Sequence, residues 1–203
     1  MFTLGGAQVA LKYQGCAVGR RVLFCGTGPL LYLIAYQYAL AGAGVAQMPL
    51  YNHVKSKAEL LRAALRLRDE QLLEWLGSAV EARADKPRGR LLALFGALDE
   101  WINRPDFSGC AFINASAEYG RPDDPIHQVA AEHKRQVRDY IRRIAESAGA
   151  ADADSLADIL NLLMEGAIVS AYVGGKRDAA KLARRAATHL IKRSLDEARP
   201  IGN

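Results

Sequence analysis

Beyond residue 56 the apolar positions recur every three or four residues, the period of a helix face, and charged residues fill the positions between. Ser56-Lys57-Ala58-Glu59 has the form of a capping box, in which the Ser hydroxyl accepts from the N–H three residues on and the Glu reaches back to the cap. Leu60, Leu61, Ala64, Leu65, Leu72, Leu73 and Leu76 follow as a stripe, which predicts a helix to about Arg83. Lys86-Pro87-Arg88-Gly89 breaks it. Leu91 to Asn103 is a second amphipathic helix, with Leu92, Phe95, Leu98 and Ile102 on one face and Pro105 beyond its end. A short helix rich in small residues is expected from Phe107 to Tyr119. After the loop "GRPDDP", Asp124 and Pro125 open a long, heavily charged helix that Gly149 ends.

The last two predicted helices differ in kind. From Ser155 to Val173 apolar residues go almost all the way round: Leu156, Ile159, Leu160, Leu162, Leu163, Met164, Ile168, Val169 and Tyr172. Such a helix is buried on more than one side, and in a small protein the second side is often another subunit. Gly174-Gly175 ends it. A final helix, about Asp178 to Glu197, carries Ala179, Leu182, Ala183, Ala186, Ala187, Leu190 and Ile191, and its alanines allow close helix approach. Two such helices from each of two chains predict a four-helix homodimer interface over about residues 155–197. No internal repeat, low-complexity linker or convincing strand pattern interrupts this, so the fold class is all-α.

Composition agrees with the pattern. The chain has 203 residues, half of them hydrophobic but only 7% aromatic, which suits helices built on Ala and Leu. A formal charge of +5 is compatible with a polyanionic partner without requiring one. Cys16, Cys25 and Cys110 are scattered and odd in number, which fits a reducing cytoplasm rather than a disulfide framework. The first part of the chain stands apart. No Lys, Arg, Asp or Glu occurs from Val22 to Val54, and "GRRVLFCGTGPLLYLIAYQYALAGAG" read alone has the look of a signal peptide or of one poor membrane span. The sequence that follows argues against both, and no membrane partner is expected.

Catalytic chemistry finds no support. His53, His127, His133 and His189 form no HExxH and no i, i+4 pair, and no GxSxG, P-loop or GxGxxG occurs. No catalytic residue, metal or cofactor is expected, and the protein is not read as an enzyme.

The segment "AGVAQMPLYNHVKSKAELLRAAL" resembles the DNA-binding end of the TetR family of bacterial transcriptional regulators. It has a turn entry at Ala43-Gly44, a short helix opened by Val45, then Leu50-Tyr51, a His near the end and Ser-Lys opening the next helix. "FSGCAFINASAEYGRPDDPIHQVAAEHKRQVRDYI" and "LADILNLLMEGAIVSAYVGG" resemble the family's ligand and dimerisation domain, so the likeness runs from about residue 39 to the end. It implies a helix-turn-helix domain over residues 1–56, with the motif at about 35–54, and a helical effector and dimerisation domain over 57–203. It implies a cytoplasmic homodimer that binds double-stranded operator DNA and is released by a small-molecule effector. Gly44 would permit the tight bend, Val45 and Leu50 would anchor the reading helix, and Gln47, Tyr51, Asn52, His53 and Lys57 would contact DNA. Phe95, Trp101, Phe112, Glu118, Tyr140, Met164 and Tyr172 are the candidates to line an effector pocket, although each also reads as plain core or surface.

Residues 1–36 depart from the family pattern. Gly26, Gly28 and Pro29 stand where a charged, amphipathic first helix belongs, and Pro49 falls inside the expected reading helix. The abrupt change near Ala39 is the pattern a frame or start error upstream would leave. A second reading therefore stands beside the first, a helical ligand-binding dimer that has lost DNA binding through an aberrant N-terminus.

Overall fold

The computed structural model describes residues 56–197. Among them lie six α-helices and no strand, in keeping with the all-α expectation: α1 (Lys57–Glu81), α2 (Pro87–Ile102), α3 (Ala111–Glu118), α4 (Pro125–Ser147), α5 (Ala153–Tyr172) and α6 (Ala179–Glu197). The candidate DNA contacts Gln47, Tyr51, Asn52 and His53 lie outside the described residues, and Lys57 is the first residue of α1. The chain divides into two compact units between Arg68 and Asp69, inside α1.

In the first unit the opening of α1 shows the expected cap. The Glu59 N–H donates to Ser56 Oγ at 3.1 Å, and the Leu60 N–H to the Ser56 carbonyl at the same distance. The first satisfies a backbone N–H that a helix end leaves open, and the second is the first regular bond of the helix.

In the second unit the helix bounds differ from the sequence pattern in ways that local chemistry explains. α2 starts at Pro87 rather than Leu91, behind an extended Lys86. A proline at the first helical position has no N–H to lose, so the residue expected to break the chain opens a helix instead. Pro125 does the same in α4, where the Ile126 N–H donates to Asp124 Oδ1 at 2.7 Å. α3 starts at Ala111, not Phe107, because Gly109 adopts φ +79°. A Cβ on Gly109 would also lie 2.8 Å from the Tyr172 ring, so glycine is required there on both counts. α5 starts earlier than Ser155 because Asp152 is its cap, accepting from the Ser155 N–H at 2.9 Å.

α2 is the hub. It packs on α4, α5 and α6, and Leu91, Leu94, Phe95 and Ile102 are shut off from solvent. Burial of each such side chain contributes about 1.5–3 kcal/mol. α4 and α5 pack along each other, and the Arg138 guanidinium bridges from α4 to Asp154 at 2.7 Å and Asp158 at 2.8 Å on α5.

The alanines of α6 face mostly into the chain itself. Ala179, Ala180, Ala183 and Ala187 are buried within the single chain, where α6 packs on α2 and α5, while Ala186 is exposed. Small side chains let these helices approach closely, so the four buried alanines serve the protein's own core. The apolar surface left uncovered is on α5: Ile159, Leu162, Val169 and Tyr172, continued by Val173 and by Leu182 of α6.

Candidate functional site

Helical spacing brings apolar side chains from four helices to one cavity of the second unit. α1 contributes Leu72, Trp75 and Leu76 at i, i+3 and i+4, and α2 contributes Leu98 and Trp101 at i and i+3. α4 adds Val137, and α5 adds Met164 and Ile168. The space these side chains enclose, with the open solvent at its mouth, is about 470 Å³.

A few polar groups interrupt this lining: Cys110, His133, Lys134 and Glu165. The Lys134 ammonium donates to both Glu165 oxygens at 2.7 Å and lies 3.5 Å from Cys110 Sγ. The two charges thus neutralise each other at the wall. His133 is 2% exposed. Its ring stacks on Phe112, with centroids 3.7 Å apart and planes 12° apart. Its Nδ1 lies 2.7 Å from Asp69 Oδ1 of α1. A carboxylate can only accept, so Nδ1 carries the proton and donates it, which leaves Nε2 as a bare acceptor.

Burial pushes the His133 imidazole below its ordinary range, opposed in part by the hydrogen bond to Asp69 and aided by the nearby Lys134 charge. The folded chain therefore disfavours the protonated ring. Below a pH of about 6.5, where an unfolded histidine takes up its proton, the unfolded state binds more protons than the folded one. The contribution of His133 is intact above that pH and is lost as pH falls toward the depressed folded value. Thermal unfolding midpoints should fall between pH about 7.5 and 5.5, and His133→Gln should flatten that slope. An unchanged slope in the variant would remove His133 as its cause.

Of the side chains named from sequence for a pocket, Trp101 and Met164 line this one. Phe112 lies one layer behind, against His133. Phe95 is wholly buried in the α2 core. Tyr140 is half-buried on α4, its hydroxyl pushed up by burial and then by the Glu81 charge. Glu118 is exposed at the end of α3, and Tyr172 is about half exposed, edge-on to Phe107 at 6.3 Å. The sequence pattern did not single out Trp75, His133, Lys134 or Glu165 for this cavity. The other tryptophan was the one available signal, because a large ring near the middle of a solvent-facing helix needs a partner surface.

Residues 87–187 match the family described as Tetracyclin repressor-like, C-terminal domain. The chain belongs to the TetR family of transcriptional regulators. It is 26% identical over 136 residues to the HTH-type transcriptional regulator YjdC of Escherichia coli strain K12, covering 67% of this chain and 71% of that one. Among solved structures it is similar to a putative TetR regulator from Streptomyces avermitilis, with TM-score 0.67 and 26% identity over 94% of each chain. The TetR-family regulator SCO4454 of Streptomyces coelicolor shares the fold at TM-score 0.67 and 24% identity, over 96% of this chain and 93% of that one.

Proposed function

We propose that this chain is a repressor that binds operator DNA as a homodimer and releases it when a small, largely apolar effector enters the α1–α2–α4–α5 cavity. In this reading residues 1–56 form the DNA-binding domain and residues 57–203 the effector and dimerisation domain. The carrying observation is the continuity of α1. It runs unbroken from Lys57, places Asp69 on His133, and sends Leu72, Trp75 and Leu76 into the cavity wall. A ligand that favours one placement of those side chains biases the same helix that leads back to the first unit. DNA as partner places the protein in the cytoplasm and makes an enzymatic role unnecessary. α5 is long and apolar enough to cross a membrane, but it packs on α2, α4 and α6, and its exposed apolar stripe suits a second copy better.

The experiment is a binding assay on DNA flanking the gene, run across a salt series. Tyr51→Ala and His53→Ala should each weaken binding by about five- to a hundredfold with the helical content intact, consistent with about 1–3 kcal/mol for a base-reading contact. Lys57→Ala should mainly lower the salt slope, by about one unit. Unchanged binding in every variant would reject this segment as the reader. A second reading has its own observation. The absence of any charged residue from Val22 to Val54 deprives the expected DNA surface of the lysines and arginines that phosphates attract. In that reading the chain is a ligand-binding helical dimer that no longer holds DNA, and no salt-dependent binding would be seen even for the unaltered protein.

A further inference from the structure

The geometry points to an uncharged effector with an apolar body, preferably a ring, and one hydrogen-bond donor that His133 Nε2 accepts. This rests on the reading of the cavity as the effector site and goes on to define the ligand's chemistry. Three features lead to it. The walls are apolar and aromatic, with Trp75 and Trp101 among them, which suits a flat or ring-bearing body. The charged groups in the lining are already spent on each other, since both Glu165 oxygens accept from Lys134 at 2.7 Å. An anion or a cation entering here would have to break that pair and strand its other half, a costly exchange in a partly dry site.

The third feature is the state of His133. Asp69 accepts from Nδ1, which fixes the tautomer, and the Phe112 ring stacked on the imidazole fixes its plane. Nε2 makes no hydrogen bond to the described residues. Yet among the described residues the buried side-chain nitrogen or oxygen that is sealed off without a partner is Asn161 Oδ1, not His133 Nε2. His133 lines the cavity, and with Nδ1 committed to Asp69 the acceptor that its ring can offer a ligand there is Nε2. A lone-pair acceptor at the edge of an apolar cavity is left unpaired by any ligand without a donor, and such a site discriminates strongly against that ligand. Asp69 acts as a positioning residue. It holds the ring so that the acceptor, and not an N–H, faces the ligand.

The test uses the full chain and three probes that share one ring and tail: 4-propylphenol, 4-propylanisole and 4-propylbenzoate. The two tryptophans of the chain, Trp75 and Trp101, both line the cavity, so selective tryptophan excitation reports occupancy. At neutral pH the phenol should bind roughly five- to tenfold more tightly than the methyl ether, the ratio that one net hydrogen bond supplies. The benzoate should bind weakest. His133→Leu should bring phenol and ether within about twofold while helical content stays unchanged. Should that variant not fold, the ring nitrogen resonances of His133 in the unaltered protein decide the matter. Saturating phenol should move the Nε2 signal and the ether should leave it in place. Equal affinities for phenol and ether, or an Nε2 signal indifferent to phenol, would overturn the donor assignment while leaving the cavity as a binding site. Tightest binding by the benzoate would overturn it too, and would move recognition to Lys134. A tryptophan signal indifferent to all three probes would remove the cavity reading itself.

Discussion

Leu162→Glu should convert the proposed homodimer to a folded monomer. In the single chain Leu162 is 69% exposed, and Ile159, Val169, Tyr172 and Val173 continue the same stripe along α5 and just past its end. A stripe of large apolar residues on the outside of a bundle is the surface a partner helix covers, and the apolar surround of α5 then has a reason on both sides. A two-fold interface brings the substituted position in twice, so two carboxylates lose solvent together. At a cost of about 3–5 kcal/mol for an unpaired buried charge, the dimer dissociation constant should rise at least a hundredfold. Leu162 already meets solvent in the single chain and Glu is a good helix former, so circular dichroism should remain native. Ala183→Glu is the contrast. Ala183 is 8% exposed inside one chain, and a carboxylate there should unfold the bundle rather than merely split it. Sedimentation with circular dichroism separates these outcomes. A Leu162→Glu variant that sediments as a normal dimer would take this face out of the interface.

The difference between Leu162 and Ala183 also shows what sequence can and cannot disclose. Both sit in apolar stripes at helical spacing, and periodicity finds the helices because a helix needs only one repeating face to be recognised. It does not say what that face meets. The alanine stripe of α6 turned out to pack on α2 and α5, whereas Ile159, Leu162, Val169 and Tyr172 of α5 are exposed. Caps were legible where the chemistry is local. Ser56 and Asp124 accept from N–H groups within three residues of themselves. Asp152 and Ser155 can both cap, and sequence alone had no means to prefer the aspartate. The close approach of the Tyr172 ring to Gly109 comes from another helix, which local sequence does not disclose.

The cavity was harder to read for the same reason. On α2, Phe95 and Trp101 are both large and aromatic, yet Phe95 is wholly buried in the core and Trp101 lines the cavity. Core and pocket walls use the same residues, and only the absence of an opposing side chain distinguishes them. His133 is the clearest case. In sequence it is one histidine on a charged helix with no neighbour at metal-ligand spacing. Its partner Asp69 is 64 residues away, and its stacking partner Phe112 is on a third helix. Such a group acquires its chemistry only when α1, α3 and α4 come together.

Operator DNA should weaken effector binding by the same factor that effector weakens operator binding. The two are halves of one coupling free energy, and a typical value of about 1–3 kcal/mol corresponds to a five- to 150-fold change in either affinity. The physical requirement is a helix whose two placements the ligand distinguishes. α1 meets it, because the residues that touch the cavity, Leu72, Trp75 and Leu76, and the one that holds His133, Asp69, all belong to it. A ligand that contacts α4 and α5 alone would bind equally well in both placements and release nothing, however tight its binding. Trp75→Leu should therefore lower the coupling more than it lowers ligand affinity, since the indole is the largest α1 side chain in the wall. Ile168→Val, on α5, should do the reverse. The measurement is a titration of a cavity ligand with and without saturating operator, repeated for both variants. Equal ligand affinities with and without DNA in the unaltered protein would show that no coupling exists. That result would favour the ligand-binding dimer that no longer regulates DNA.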